Sequence, residues 1–235
     1  MPKVALAKGE NKRERILTKA EAEIYLKACP QPWKDVATVL VGTGMRPGEA
    51  YALDWRNILL NGSGGLIQIT QGKTRAARRI LPMVPEVYQA LKARHESQAC
   101  PSEGWVFPTG SVSGHIEESS AKIWHAKALS TLADAHKNKP EENAEIKPFE
   151  PYCLRHTALT WLAKAGVDAF TLARIAGHSN ITITQRYVHP EDEAVDAAFQ
   201  KLASQKVVTD GGHKQKSNSE TQSQAHAVSN DKKKG

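Results

Sequence analysis

The residues of this sequence that could do chemistry lie in three short stretches and one polar loop. Arg46 occurs in "TGMRPGEA", Arg155 in "YCLRHT", and "GHSNITITQRYVH" places His178 nine residues before Tyr187. A tyrosine oxygen can attack phosphorus, while two guanidinium groups hold the non-bridging oxygens of a phosphate. Lys73, in the loop "QGKTR", could protonate a departing 5′ oxygen. These are the residue types that phosphodiester chemistry needs, but their spacing alone does not bring them into one site.

The elements that must position these residues are mostly helices. Thr18 and Glu21 form a capping box that predicts a first helix. A mostly apolar segment over 33–41 predicts a second helix that ends near Gly44, and Pro47 suits the first turn of a third. Caps and apolar spacing predict further helices over 85–97, 116–136, 152–165, 169–176 and 182–189, and another from Pro190 onward.

One small sheet interrupts the helices. The segments "NILL", "LIQIT" and "RILPMV" read as strands, separated by the turn "NGSGG" and the polar loop "QGKTRAAR". The sequence therefore predicts a mainly α domain with a small antiparallel three-stranded sheet, an α+β fold. The segment "KNKPEENAEIKP" is predicted to be a solvated connector.

The charge of the chain points weakly to a polyanionic partner. The net charge is +7, from 32 Lys and Arg against 25 Asp and Glu. Residues 201–235 hold seven lysines and three acids, or +4, which leaves +3 for residues 1–200. Any anion site in the folded part must therefore be local. Residues 1–14, a basic lead, and 206–235, a polar and basic tail, are predicted to be disordered.

Membrane and secreted proteins do not fit this sequence. It has no apolar run of the roughly 18 to 20 residues that cross a bilayer and no apolar signal-peptide core near its start. Its three cysteines, Cys29, Cys100 and Cys153, are far apart and form no C-x-x-C pair. We therefore expect a cytoplasmic protein with reduced cysteines and no zinc cage.

The three stretches together resemble the signature boxes of the tyrosine recombinase (phage integrase) family, over roughly residues 15–205. The order of helices, sheet and helices agrees with the catalytic domain of that family. The resemblance implies that Arg46 and Arg155 bind the phosphate, that Lys73 is the general acid on the hairpin, and that His178 donates a hydrogen bond to the phosphate. It implies that Tyr187 is the nucleophile.

The resemblance also implies a reaction and a partner. Family members cut one DNA strand through a 3′-phosphotyrosyl link, and a 5′ hydroxyl then attacks that link, so neither a metal nor another cofactor is needed. The expected partner is double-stranded DNA, bound by a homo-tetramer that is weakly associated or monomeric without it. An apolar stripe after Pro190 either docks on a neighbouring protomer or packs within its own chain; it consists of Val195, Ala198, Phe199 and Leu202.

Glu49, one turn after Arg46, matches an acidic position of the family that supports the site by orienting an arginine. Tyr152 occupies a catalytic position at which the family usually has histidine, and we include it among the candidate catalytic residues. An imidazole accepts a proton near neutral pH, whereas a phenol is a poor base. The neighbouring His156 projects about 100° around the helix from Arg155, and we do not include it among the site residues.

Several alternatives stay open from the sequence. Arg75, Arg78 and Arg79 lie near Lys73 and compete with it for the role of acid. The N-terminal helical DNA-binding domain of the family is expected to be absent, since about 14 residues precede the first helix. That expectation, together with Tyr152, leaves a non-catalytic DNA-binding remnant as an alternative to a recombinase. A type IB topoisomerase-like enzyme shares the phosphotyrosyl chemistry and is a third possibility.

Overall fold

The computed structural model describes residues 15–62, 64–72, 74–188 and 199–200. Contacts divide the chain into two units, Met1–His189 and Pro190–Gly235. The first unit contains, in its described part, eight α-helices and three strands: α1 (Lys19–Ala28), α2 (Trp33–Thr43), α3 (Pro47–Tyr51), β1 (Ile58–Asn61), β2 (Gly64–Ile69), β3 (Arg79–Pro82), α4 (Pro85–Ser97), α5 (Glu118–Asn138), α6 (Tyr152–Lys164), α7 (Ala169–Ala176) and α8 (Thr182–Gln185).

Helix α2 forms the centre of the core. It packs against α4 on one side and α6 on another, and its side chains at Val36, Val39 and Leu40 are fully buried. Full burial of each such side chain stabilises the fold by about 1.5–3 kcal/mol. Gly44, in the left-handed conformation with φ of 67°, ends the helix and turns the chain toward Arg46.

The sheet is an antiparallel meander in the order β1-β2-β3. Residues alternate between its faces, so that Ile67 and Ile69 of β2 are buried while Gln68 is exposed. On β3, Leu81 and Arg79 occupy the buried face, and Arg79 pairs in register with Ile69. An arginine therefore stands where the two-residue period would place an apolar side chain.

The predicted elements are largely confirmed. The capping box is present, with Thr18 Oγ1 accepting from Glu21 N at 3.1 Å and Glu21 Oε2 accepting from Thr18 N at 2.8 Å. The three strands and the helices α1 to α7 occur close to where the sequence predicts them, although α5 begins and ends two residues later than expected. All three cysteines are free.

Two predictions are wrong in part. The last helix of the first unit was predicted to run to His189, but α8 ends at Gln185. The Tyr187 amide there bonds the Thr184 carbonyl, three residues back, so the four-residue pattern of an α-helix does not continue. The segment predicted as a solvated connector is anchored in the core at Ile146, which is buried. Apolar side chains in a polar segment can insert singly where a neighbouring pocket accepts them.

Several predictions lie outside the described residues. They concern the lead at 1–14, the tail at 206–235, Lys73, His189 and most of the apolar stripe after Pro190. Of that stripe, Phe199 is described and its side chain is exposed. Within the described ranges, no helix combines the length and the apolar character that crossing a membrane requires.

A buried chain of hydrogen bonds joins three helices to the segment before α6. Trp33 Nε1 donates to Tyr25 Oη, which bonds His125 Nδ1, and His125 Nε2 bonds the Phe149 carbonyl, each at 2.6 Å. The carbonyl can only accept, so Nε2 carries the ring proton and Nδ1 accepts from the tyrosine. Burial lowers the pKa of His125 and favours this neutral ring.

We predict that Tyr25→Phe lowers the free energy of unfolding by about 1–3 kcal/mol, because it leaves the Trp33 indole and His125 Nδ1 unpaired in the core. Urea unfolding measures the loss. Tyr88→Phe, at a half-buried tyrosine of α4, is the control and should change the free energy by less than about 0.5 kcal/mol. Equal effects of the two substitutions would contradict a structural role for the buried chain.

Candidate active site

The C-terminal end of α7 is surrounded by three arginines. Three consecutive carbonyl groups there accept hydrogen bonds from three different parts of the fold. Arg79 Nε donates to the Ile175 carbonyl at 2.7 Å, Arg155 Nη2 to the Ala176 carbonyl at 2.8 Å, and Arg46 Nη2 to the Gly177 carbonyl at 2.6 Å. The last carbonyls of a helix have no partner within it, and its C-terminal end favours cations.

Gly177 makes this convergence possible. Its φ of 66° lies in the left-handed region, and the amides of Gly177 and His178 bond back to the Arg174 and Ala173 carbonyls at 3.2 and 2.9 Å, as in a Schellman motif. A Cβ at Gly177 would lie 2.8 Å from Arg79 Nη1 and 3.0 Å from Arg46 Nη1. The residue must therefore be glycine both for its backbone and for its neighbours.

Glu49 joins two of the arginines. Arg79 binds its carboxylate in a bidentate manner, at 3.0 and 2.8 Å, and Arg46 Nη1 donates to Glu49 Oε1 at 3.1 Å. Burial tends to raise the pKa of the Glu49 carboxyl, but the hydrogen bonds and charges of Arg79 and Arg46 outweigh it and hold that pKa below its ordinary value. Glu49 is thus ionised and fixes both guanidinium groups.

Arg155 is held inside the fold. It is fully buried on α6, and Nη1 donates to the Gly44 carbonyl at 2.8 Å, while Nη2 also contacts His178 Nε2 at 3.0 Å. Burial lowers the pKa of Arg155, yet a guanidinium stays protonated at any physiological pH. Arg46, with 36% of its side chain exposed, is the more accessible of the two arginines that the sequence predicts.

His178 is a neutral ring with a defined tautomer. Arg155 can only donate, so His178 Nε2 accepts, and Nδ1 carries the proton and donates to Thr184 Oγ1 at 2.9 Å. Burial, with the charges of Arg155 and Arg46, lowers the pKa of His178 to about 4. For Nε2 to donate to a phosphate, as the resemblance implies, the Arg155 contact must be released and the ring protonated or its tautomer changed.

Tyr187 follows the short α8 turn. Its amide bonds the Thr184 carbonyl at 2.9 Å, and its half-buried ring packs on a small apolar cluster between α6 and α7, formed by Leu159, Leu172 and Ala176. Its hydroxyl lies 2.5 Å from His156 Nδ1. The ring therefore anchors the residue while the hydroxyl faces a second polar group.

This contact corrects the sequence analysis, which left His156 out. Tyr152 and His156 are four residues apart on α6 and share a face, with their ring centroids 4.8 Å apart in an edge-on arrangement. Tyr152 is the outer ring of the pair, 41% exposed, and His156 is buried. The Arg155 guanidinium carbon lies 6.0 Å from the centroid of the Tyr152 ring.

Two grooves meet at Arg46. One, of about 890 Å³, is also lined by Glu49, Gln68, Gly72 and His178. The other, of about 920 Å³, is lined by Arg46 together with Tyr152, His156 and Arg186. Of the predicted site residues, Arg46, Glu49 and His178 line the first groove, and Arg46 and Tyr152 line the second. Lys73 lies outside the described residues. Among the described side chains, no cluster of histidine, cysteine and acidic residues could hold a metal ion.

Sequence reasoning considered Arg79 only as an alternative acid to Lys73, whereas the structure pairs it with Glu49. It left His156 and Thr184 out of this arrangement. Arg79 was detectable, because it shares a strand face with the apolar Leu81 and so had to be buried. His156 was detectable through its i, i+4 relation to Tyr152. Thr184 supports both His178 and Tyr187, and no pattern in "NITITQ" distinguishes it from the neighbouring β-branched residues.

The fold and the site define a class of protein, the tyrosine recombinase catalytic domains. The family model described as "Phage integrase family" matches residues 10–194. The chain belongs to the phage integrase family. This confirms the family and the fold class that the three sequence stretches predicted.

Curated relatives and solved structures agree with this assignment. The integrase of Salmonella phage P22 is 26% identical over 188 residues, covering 80% of this chain and 47% of the relative. Tyrosine recombinase XerD of Rhizobium meliloti is 27% identical over 157 residues, covering 66% and 46%. The chain thus spans about half the length of the curated relatives it matches. A structure of the Tn1549 transposon integrase in complex with circular intermediate DNA aligns with a TM-score of 0.60 and 27% identity, covering 83% of this chain and 68% of that one.

We predict that Gly177→Ala destabilises the protein more than Gly166→Ala. Both glycines have positive φ, 66° and 85°, so each alanine should cost about 1–2 kcal/mol of backbone strain. An added Cβ at Gly166 meets nothing within 4 Å, whereas at Gly177 it displaces the Arg79 and Arg46 guanidiniums. Urea unfolding compares the two variants, and equal losses would show that the arginine contacts add no stability.

We predict that the His178 ring titrates near pH 4 in the free protein and that Arg46→Gln raises this pKa, since a neighbouring positive charge is removed. The NMR signal of the ring, assigned with His178→Gln, reports the midpoint. Arg56→Gln, whose guanidinium is paired with Asp54, should leave it unchanged. Because the folded-state pKa lies below the ordinary 6.5, the contribution of this ring to stability is complete above pH 6.5 and is lost as the pH falls toward 4.

Proposed function

We propose that this chain is the catalytic part, over residues 15–205, of a site-specific DNA recombinase that cuts and rejoins strands through a 3′-phosphotyrosyl intermediate. The convergence of Arg46, Arg155 and His178 at the end of α7 carries the proposal, because it brings two guanidiniums and a neutral imidazole together beside a groove that Arg46 and His178 line. Membership of the phage integrase family supports the same chemistry. We expect this activity in the cytoplasm.

In the proposed reaction, the Tyr187 oxygen attacks the phosphorus, and the 5′ oxygen leaves. Arg46 is accessible and would contact a non-bridging phosphate oxygen first. Arg155 is buried behind His178, so its contact with phosphate requires that ring to move. Charge-assisted hydrogen bonds from two guanidiniums stabilise the additional charge of the transition state. Glu49 and Arg79 act as positioning residues that hold Arg46 in place.

Lys73 is proposed to protonate the 5′ oxygen as it leaves. Its sequence neighbours Gly72 and Thr74 line the same groove as Arg46 and His178, which supports a role beside the phosphate. The 5′ hydroxyl of a partner strand then attacks the phosphotyrosyl link and releases Tyr187. Bond energy is conserved in the two steps, so the proposed reaction uses no cofactor.

The proposed partner is double-stranded DNA, since the Tn1549 transposon integrase was solved with its DNA. Strand exchange joins two duplexes and requires one nucleophile for each strand that is cut. We therefore propose a tetramer on DNA and a monomer or weak association without it. Binding through a few arginines and lysines releases counterions and should weaken steeply with salt.

We predict that the chain forms a covalent adduct with nicked duplexes, because the nick lets the cut fragment diffuse away and traps the phosphotyrosyl link. A pool of nicked duplexes with a randomised core serves as the probe, and denaturing gels detect the protein–DNA adduct. Sequencing of the trapped DNA identifies the preferred site. Tyr187→Phe should remove the adduct entirely.

Substitutions of the other site residues test strand cleavage separately from DNA binding. Arg155→Ala should abolish the adduct, while Lys73→Ala should slow its formation more than it weakens DNA binding. An adduct that survives Tyr187→Phe, or wild-type chain that binds DNA and never forms one, would refute the proposed function. The second of these results would favour a DNA-binding remnant.

A further inference from the structure

We infer that His156 is a catalytic residue that accepts the proton of Tyr187 when its oxygen attacks phosphorus. The inference rests on the proposed phosphotyrosyl chemistry. The nucleophile must lose its proton during attack, and a histidine is expected for this at position 152, where the chain has a tyrosine. The geometry places an imidazole next to the nucleophile from a different position of the same helix.

The contact itself carries the inference. His156 Nδ1 lies 2.5 Å from Tyr187 Oη, a distance at which one of the two atoms donates to the other. The two rings are tilted by 36° with their centroids 5.7 Å apart, so the contact joins their edges rather than their faces. A general base must lie within hydrogen-bond reach of the proton that it removes.

The surroundings of His156 keep this pair in place. His156 is 8% exposed, and Tyr152 packs edge-on against its ring from one helical turn earlier. His156 lies next to the buried Arg155 on α6, whose backbone is fixed in the core. The Tyr187 ring is held by the apolar cluster between α6 and α7. Neither partner needs a long excursion to restore the hydrogen bond, which favours proton transfer at a fixed geometry.

The proton and the bonds balance in both directions. In cleavage, the Tyr187 Oη–P bond forms, the P–O5′ bond breaks, the phenolic proton moves to His156 Nδ1, and the 5′ oxygen takes a proton from the general acid. In rejoining, the 5′ hydroxyl attacks phosphorus and returns its proton to the conjugate base of the general acid, so that the P–O5′ bond forms. The Tyr187 Oη–P bond breaks, and His156 returns its proton to the leaving phenolate. For this role the resting ring must carry its proton on Nε2.

The proposal makes cleavage depend on the protonation of His156. The charged groups that line the groove beside Tyr152 and His156 would influence this dependence; they are Arg46, Glu117, Glu118, Lys122, Glu150 and Arg186. The rate of adduct formation should fall at low pH, where the imidazole is protonated and cannot accept. His156→Gln keeps a polar side chain but cannot accept the proton, so it should slow adduct formation by about 10²- to 10⁴-fold. The same substitution should remove the fall in rate at low pH.

Single-turnover adduct formation on the trapped duplex, measured across pH, tests the inference. His136→Gln, at the end of α5, is the matched control and should retain the wild-type rate and profile. DNA binding by His156→Gln should stay close to wild type. Equal rates and pH profiles for His156→Gln and wild type would overturn the inference and leave the proposed function intact. Loss of the fall in rate at low pH in Tyr152→Phe, rather than in His156→Gln, would have the same consequence. A wild-type chain that forms no adduct overturns both.

A second measurement does not depend on the stability of a variant. Long-range proton–nitrogen NMR spectra of the free wild-type chain report which nitrogen of His156 carries the proton. A proton on Nε2, with Nδ1 accepting from Tyr187, is the expected result. A proton on Nδ1 would make His156 the donor to the tyrosine oxygen and would overturn the inference even where the protein cleaves DNA.

Discussion

The unpaired carbonyls at the C-terminal end of α7 are the feature on which the site depends. Each requires a hydrogen-bond donor, and each obtains one from a different element: β3 supplies Arg79, α6 supplies Arg155, and the start of α3 supplies Arg46. The same contacts therefore dock three elements onto α7 and bring three cations together. The carbonyls and the Glu49 carboxylate offset the repulsion among these cations, and the arrangement remains attractive to an added anion.

The chain that leaves this helix end carries the rest of the site. Gly177 reverses the chain direction, so His178 follows directly against the arginines. Their charges, together with burial, keep its ring neutral. Thr184 then supports both His178 through its hydroxyl and Tyr187 through its carbonyl. The Tyr187 hydroxyl then contacts His156 of α6.

Local signals in the sequence predicted most of the fold, and the family resemblance supplied the candidate site residues. Capping boxes, helix-ending glycines and two-residue alternation act over a few residues, so they can be recognised in the sequence without tertiary structure. Contacts between distant segments cannot be recognised in this way. Ile146 in the polar connector and Thr184 in a β-branched run acquire their roles from partners that the sequence does not indicate. Arg79 is intermediate, because the alternation along its strand predicts that it is buried, whereas nothing in the sequence predicts its bond to Glu49.

The Tyr152 position shows why a motif and its chemistry need separate arguments. A motif records which residue type usually stands at a position, whereas a proton transfer requires only that a suitable base reach the reacting atom. On a helix, positions i and i+4 present neighbouring side chains on one face. An imidazole at position 156 can therefore reach much the same region as an imidazole at position 152, and here it contacts the Tyr187 oxygen. A tyrosine at position 152 is then compatible with activity, and its ring shields the histidine beneath it rather than replacing it.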